Sequence, residues 1–337
     1  MVADAALFAV GLLLVTMGAD WLVTGASRLA ADFGMSPLVV GLTVVAFGTS
    51  APELVVSGAA AIRSQPGLAV GNVMGSTVAN VGLIVGLGAL IRPIDVHRRL
   101  LARESPLLIF VLAIVMALSL NAALGRLDGL ALVVGFVIYL RFLLRWGREE
   151  GRPVGGGGGQ GEPGVEGPPV AAEMIPEERD PAEATGHPST RPSWLDWLRT
   201  LIGLGGLLLG ANWLLDSSVA IARAFHVSET VIGATMVAVG TSLPELASTV
   251  AAAARGLGDI AIGNVIGSNI FNLGLVLGTA ALLNPLLLPP QAVVRLVLPA
   301  LFFCVLLIPL AYTRGRVGRW EAALLLALYG VFLAWII

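Results

Sequence analysis

Two hexapeptides carry most of the chemistry open to this chain. Gly48 to Glu53 reads GTSAPE, and Gly240 to Glu245 reads GTSLPE. Each sits inside a long apolar run, where an ionisable side chain is costly to hold and marks a functional position by default. Pro52 has no N–H, and its ring clashes with the carbonyl four residues earlier, so the helix must kink or unwind near Gly48. That frees carbonyl oxygens around residues 46–48. Thr49 and Ser50 add hydroxyls, and Glu53, four residues after Thr49, leaves nearly the same helical face. Thr241, Ser242, Pro244 and Glu245 repeat the arrangement. A donor set made only of oxygens suits hard cations, and calcium takes about 6–8 of them. Two glutamates would balance one divalent ion; left empty they would repel each other, so a cation or a proton should always be present.

A second pair of stretches adds more oxygens. GNVMGSTVAN (Gly71 to Asn80) places Ser76 and Asn80 four apart on one face, and GNVIGSNIFN (Gly263 to Asn272) does the same with Ser268 and Asn272. Asn72 and Asn264 are placed to tie off the backbone of the broken helices. Gly71, Gly75, Gly263 and Gly267 give each half a small-residue face for close helix packing. Nucleophilic chemistry at Ser50 or Ser242 would need a base, usually His or Lys. The chain has no lysine, and His97, His187 and His226 fall in or beside predicted loops as solvated residues. No arginine lies in either glutamate's apolar run to pair with it. Asp20, within the first span, has Asn212 as its counterpart, and is read equally as lining an access path or sitting near an interface. The lone cysteine, Cys304, allows no intrachain disulfide, and no Cys/His metal spacing is present. The expectation is a transporter rather than an enzyme, with no catalytic residues and no cofactor.

The elements that must position these residues are membrane helices. Hydrophobic residues make up 56% of the 337 and charged residues only 12%, about half the charged share of a soluble domain. Apolar runs of about 20 residues, long enough to cross a bilayer, recur ten times, near 5–30, 37–63, 68–91, 104–122, 127–147, 195–223, 229–254, 260–284, 291–313 and 320–337. The first lacks the basic flank and cleavage site of a signal peptide and reads as a retained helix. Residues 148–193, acidic and rich in Gly and Pro, cannot bury a core and are expected to be a disordered linker. The net charge of −2 and the absence of a basic stripe exclude a nucleic-acid partner, and no protein partner is expected.

The halves on either side of the linker, 1–147 and 194–337, are related. At an offset of 192 positions GADWLV meets GANWLL, and about half the positions from Gly41 to Gly88 are identical to their counterparts. That is an internal duplication, with its conserved core at 41–88 and 233–280. Five helices per unit is odd, so the second unit enters from the opposite face. The fold class expected is all-α and polytopic: ten transmembrane helices as two inverted five-helix repeats with broken central helices, a transporter architecture whose site lies near the midplane. Arginines cluster in loops on one side (Arg92, Arg98, Arg99, Arg103, Arg148, Arg152, Arg314, Arg316 and Arg319 among them), and the positive-inside rule makes that side cytoplasmic. Both termini are then outside and the linker inside. Tryptophans near span ends serve as anchors in the lipid bilayer.

The paired GTS-PE and GNV-GS…N motifs resemble the two α-repeats of the cation/Ca²⁺ exchanger superfamily, nearest its prokaryotic Na⁺/Ca²⁺ exchanger branch. The resemblance covers both halves and omits only the linker. It implies antiport of Na⁺ and Ca²⁺, bound as transported substrates, by alternating access across the cell (inner) membrane. Carried over by motif, the metal ligands fall on Thr49, Ser50, Glu53, Ser76 and Asn80, and on Thr241, Ser242, Glu245 and Ser268. The carbonyls of Ala46 and Ala238 match backbone ligands of outer Na⁺ positions. This chain departs from many relatives in having neutral Asn272 where they carry aspartate, which leaves H⁺- or K⁺-linked exchange of Ca²⁺ or another divalent ion as the alternative. It also has Thr77 where asparagine is usual, a difference read as minor. The linker is too short for a large calcium-regulatory domain.

Overall fold

In hydrocarbon every backbone N–H and C=O must find a partner within its own segment, so long apolar runs become helices. The computed structural model describes residues 2–33, 35–97, 100–118, 123–150, 194–225, 238–312 and 314–336. The first half holds α1 (Val2–Asp32), α2 (Pro37–Thr49), α3 (Ala51–Ile62), α4 (Pro66–Ile91), α5 (Leu100–Leu118) and α6 (Arg126–Glu150). The second holds α7 (Trp194–Ala224), α8 (Ala238–Thr241), α9 (Leu243–Ala254), α10 (Gly258–Leu283), α11 (Pro290–Tyr312) and α12 (Arg319–Ile336). Helix α6 runs through Glu150, three residues past the expected end of its span at 147. Residues 151–193, with His187, lie outside the described residues, as do residues 226–237, with His226 and the start of the seventh expected span.

This is a mostly helical polytopic membrane fold. Among the described residues eight helices are long and apolar enough to cross a membrane, and a ninth span forms if α2 and α3 count together across their 47° bend. The seventh expected span is represented by α8 and α9, and its first residues, 229–237, lie outside the described residues. The all-α expectation needs one addition, four two-residue strands: β1 (Ile94–Asp95), β2 (Ala123–Leu124), β3 (Leu286–Leu287) and β4 (Arg316–Val317). β1 pairs antiparallel with β4 (Ile94 opposite Val317), and β2 with β3 (Leu124 opposite Leu286). β1 and β3 are 192 residues apart, so one ladder repeats the other. Each ladder joins two loops expected on the same side of the protein.

The centre is built on α10, whose residues 260–274 are all buried. A helix enclosed on every side must be apolar all round or satisfy its polar groups internally. α2 crosses it closely through glycines: a Cβ on Gly41 would lie 2.8 Å from the Ile260 carbonyl, and one on Gly267 2.6 Å from the Leu42 carbonyl. The mirror contact for Gly71 and Gly75 would involve residues near 230–234, outside the described residues.

α1 and α7 form a separate antiparallel pair. Gly11 faces Gly210, Gly18 faces Gly203, and Gly25 faces Asp196, in steps of seven that run forwards on one helix and backwards on the other. A Cβ on Gly18 would fall 2.7 Å from the Gly203 carbonyl, so only glycine permits this approach. Asp20 on α1 pairs with Arg255 at the end of α9, and Arg255 also bonds Thr24; Asp20 is therefore a surface ion-pair partner. His97 pairs with Asp259 at 3.4 Å. Substituting Gly18 by leucine is expected to lower the thermal unfolding midpoint in detergent, by the equivalent of about 1–3 kcal/mol. Gly205, which faces open space, should accept leucine without a shift.

Candidate functional site

The two proline breaks produce new helix starts. Ser50 leaves the helical region at φ −85°, ψ 8°, and α3 begins at Ala51 with Pro52 in its first turn. There the missing N–H costs nothing, because first-turn donors have no intrahelical acceptor. Gly48 loses the bond that an N–H at 52 would have made. Ser242 does the same at φ −89°, ψ 8°, and α9 follows with Pro244 and Glu245 in its first turn. Glu53 and Glu245 thus both stand at helix N-termini, where the backbone dipole favours negative charge.

Ser-x-x-Glu at a helix start usually forms a capping box, with serine bonding the local backbone. Here neither serine makes a side-chain cap. Ser50 Oγ instead donates to Glu245 Oε1 at 2.8 Å, and Ser242 Oγ donates to Glu53 Oε1 at 3.3 Å. Each half supplies the hydroxyl that holds the other half's carboxylate. Ser76 Oγ donates to Glu53 Oε1 at 3.4 Å and lies 3.2 Å from Ser242 Oγ. Ser268 faces Glu245 without reaching hydrogen-bond geometry. Both glutamates are fully buried, and the side chains that bond them are serine hydroxyls. Each keeps one oxygen, Oε2, with no partner.

A second reciprocal layer surrounds the first. Thr49 Oγ1 donates to Asn264 Oδ1 at 3.2 Å, and Thr241 Oγ1 to Asn72 Oδ1 at 3.3 Å. Asn72 Nδ2 reaches Ser57 Oγ at 3.0 Å and the Glu53 carbonyl at 3.5 Å. Asn264 Nδ2 reaches Thr249 Oγ1 at 2.9 Å, Ser248 Oγ at 3.0 Å and the Glu245 carbonyl at 3.3 Å. Both asparagines tie the helix that carries a glutamate to the inner span beside it, as their placement in the sequence suggested, and they also join the two halves. The Ala46 carbonyl accepts from Ser50 N–H at 3.0 Å and from Thr49 Oγ1 at 3.4 Å. Ala238 opens α8.

Of the twelve residues singled out from sequence, Ala46 and Ala238 were named for their carbonyls and the other ten, Thr49, Ser50, Glu53, Ser76, Asn80, Thr241, Ser242, Glu245, Ser268 and Asn272, for their side chains, and all ten are buried. The sequence reading passed over Ser57, Ser248, Thr249 and Asn269. Ser57 and Thr249 are hydroxyl residues 192 positions apart, a signal available in the repeat. Asn269 stands inside GSNIFN and receives Asn80 Nδ2 on its Oδ1 at 2.8 Å. Among the described residues no group of three or more His, Cys, Asp and Glu side chains is gathered that could hold a metal. The cluster offers two carboxylates with hydroxyl and amide oxygens, a donor set for hard cations.

Three comparisons bear on this arrangement. The profile of the sodium/calcium exchanger protein family matches residues 4–145 and 195–337. The chain is 37% identical to the inner membrane protein YrbG of Escherichia coli K12, covering 100% of this chain and 96% of that protein. It is 32% identical to the sodium/calcium exchanger MaX1 of Methanosarcina acetivorans, over 96% and 95% of the two chains. Among solved structures it is similar to the sodium-calcium exchanger NCX_Mj soaked with Na⁺ and Ca²⁺, with a TM-score of 0.79, 33% identity, and 99% and 98% of the chains covered.

Replacing Asn264 by alanine strands Thr249 and leaves Thr49 and Ser248 only the bonds to their own helices, and should cost about 1–3 kcal/mol of stability. Asn72→Ala, at a half-buried position with fewer bonds, should cost less. Thermal unfolding of the two variants in detergent orders them.

Proposed function

The chain belongs to the sodium/calcium exchanger family, and from that premise we propose that it is a secondary antiporter exchanging Na⁺ for Ca²⁺ at one shared site. A single observation carries the reading: two fully buried glutamates, each held by the opposite half's serine, each with an oxygen left unpartnered. The proposed ligands are Thr49, Ser50, Glu53, Ser76 and Asn80 with Thr241, Ser242, Glu245, Ser268 and Asn272, and the carbonyls of Ala46 and Ala238. One Ca²⁺ neutralises the carboxylate pair, and Na⁺ ions do so in its place. Because both need the same oxygens they exclude each other, and exclusion at a shared site produces antiport without covalent chemistry.

The architecture proposed is ten spans in two inverted five-helix units, 1–147 and 194–337, joined by the acidic segment 148–193. It is supported by the five apolar runs in each half of the sequence, the antiparallel α1–α7 pairing and the two reciprocal strand ladders. The protein is placed in the cell membrane with both termini outside and the linker cytoplasmic, a sidedness supported by the arginine distribution.

Alternating access is assigned to the α1–α7 pair. Those helices are locked to each other by backbone-to-backbone glycine contacts, yet they meet the centre through pliable side chains: Leu204 lies over Gly48 and Leu215 over Gly240. A tightly joined pair on a softer interface can slide or rock as one body, opening the site to one side at a time.

In proteoliposomes, an outward-directed Na⁺ gradient should drive ⁴⁵Ca²⁺ uptake, and Glu53→Gln and Glu245→Gln should each abolish it. Imposed K⁺ or pH gradients in place of Na⁺ separate the K⁺- and H⁺-linked alternatives, and uptake without any counter-ion would indicate a channel. Cysteines at Asp20 and Arg255, in a Cys304→Ala background, joined by a reducible short linker should stop exchange, and reduction should restore it. Exchange at the full rate while crosslinked would refute the gating role.

A further inference from the structure

One amide opens a π-helical turn in each inner span: Asn80 begins Asn80–Val85 in α4, and Asn272 begins Asn272–Val276 in α10. Such turns widen a helix locally and recur at functional sites. The two amides are 192 residues apart and chemically identical, yet their surroundings differ. Asn80 Nδ2 donates to Asn269 Oδ1 at 2.8 Å. That bond fixes the direction of the amide, so its Oδ1 is a buried acceptor without a partner. The residue that would serve Asn272 in the same way stands 192 positions before Asn269, and it is Thr77.

Thr77 is fully buried, and its hydroxyl donates to the Val73 carbonyl one turn back at 2.9 Å. α4 packs against the turn holding Asn272 much as α10 packs against the turn holding Asn80. The contact that fixes Asn80 is nevertheless missing on the other side, and both Nδ2 and Oδ1 of Asn272 are buried without a partner. Position 77, whose threonine the sequence comparison marks as a minor departure, is where the two halves differ. A buried amide with neither atom bonded is rare in a folded protein, because its hydrogen bonds to water have been surrendered for nothing. Asn272 follows Ser268 by one turn on the same face. Ser268 Oγ and the Oε2 atoms of Glu53 and Glu245 are unpartnered as well. Asn272 Nδ2 and Asn269 Nδ2 are thus buried donors without a partner, and Asn272 Oδ1, Asn80 Oδ1 and both glutamate Oε2 atoms are buried acceptors without one.

We propose that residues 77 and 269 decide which half's amide is a pre-oriented oxygen ligand. Asn269 holds Asn80 with its oxygen turned to the cation. Thr77 leaves Asn272 free to rotate, so Asn272 offers its oxygen to a bound cation or its N–H to a bare carboxylate, according to what the site contains. Thr77 and Asn269 are positioning residues that act through Asn272 and Asn80. This rests on reading the cluster as a Ca²⁺ site.

The test uses full-length protein. Ca²⁺ affinity is measured by calorimetry in Na⁺-free detergent, and the half-saturating Ca²⁺ concentration and maximal rate of exchange are measured in proteoliposomes. Thr77→Asn, which resembles Thr in size, supplies the missing acceptor for Asn272. It should tighten Ca²⁺ binding by about tenfold, the scale of one pre-oriented contact, and lower the maximal rate. Asn269→Thr should weaken binding by about the same factor. Thr77→Asn should have no effect in an Asn272→Ala background, nor Asn269→Thr in an Asn80→Ala background, whereas a general packing role would persist in both. The two variants are independent, so a folding failure in one leaves the other to decide. Wild-type binding unmoved by a folded variant, or moved equally in the alanine backgrounds, overturns the inference alone. A wild type that binds no Ca²⁺, with Glu53→Gln without effect on exchange, overturns the site reading and the inference with it.

Discussion

Two carboxylates that cannot reach water govern the rest of this structure. Glu53 and Glu245 are fully buried in a membrane fold, a setting in which an unpaired anion is among the most expensive features a chain can carry. The protein meets that demand partly, with helix N-termini beneath both residues, one short hydroxyl bond to Glu245 and two longer ones to Glu53. It stops short of full satisfaction. One oxygen of each glutamate, the amide of Asn272 and the hydroxyl of Ser268 are left over. These unpartnered buried oxygens are the donor set on which the proposed cation site rests.

Holding such a site open requires a rigid frame. The glycines of α2 and α10 bring backbone against backbone, and Asn72 and Asn264 bolt each glutamate-bearing helix to its neighbouring inner span. The crossed serine bonds make the cage a joint product of both halves. Each glutamate takes a serine bond from the opposite half, so a change in one half is felt at the carboxylate of the other. The α1–α7 pair stands apart from this frame. Its internal seam is unforgiving while its seam with the centre is padded by leucines, a division of stiffness suited to motion of the pair as a unit.

Much of this was legible beforehand. The duplication, the breaks at Pro52 and Pro244, the bilayer-depth glutamates and the oxygen-bearing faces at Ser76/Asn80 and Ser268/Asn272 all follow from local rules: proline lacks a donor, and residues four apart share a helix face. The four short strands were not legible, because two residues carry no periodicity. Nor was the role of Ser50 and Ser242. Their spacing to glutamate matches a local capping box, and only the geometry shows each hydroxyl turned away from its own helix start towards the other half.

Residue order was enough to show where the helices break, which oxygen-bearing groups accompany each break, and that these features come twice. Tertiary structure alone decided who bonds to whom. Ser50 and Glu245 lie 195 residues apart, and no periodic pattern reports how two helices cross. The consequence of Thr77 is of the same kind: a threonine bonded to its own helix looks harmless in one dimension, and becomes a missing partner only when the inner spans are brought side by side.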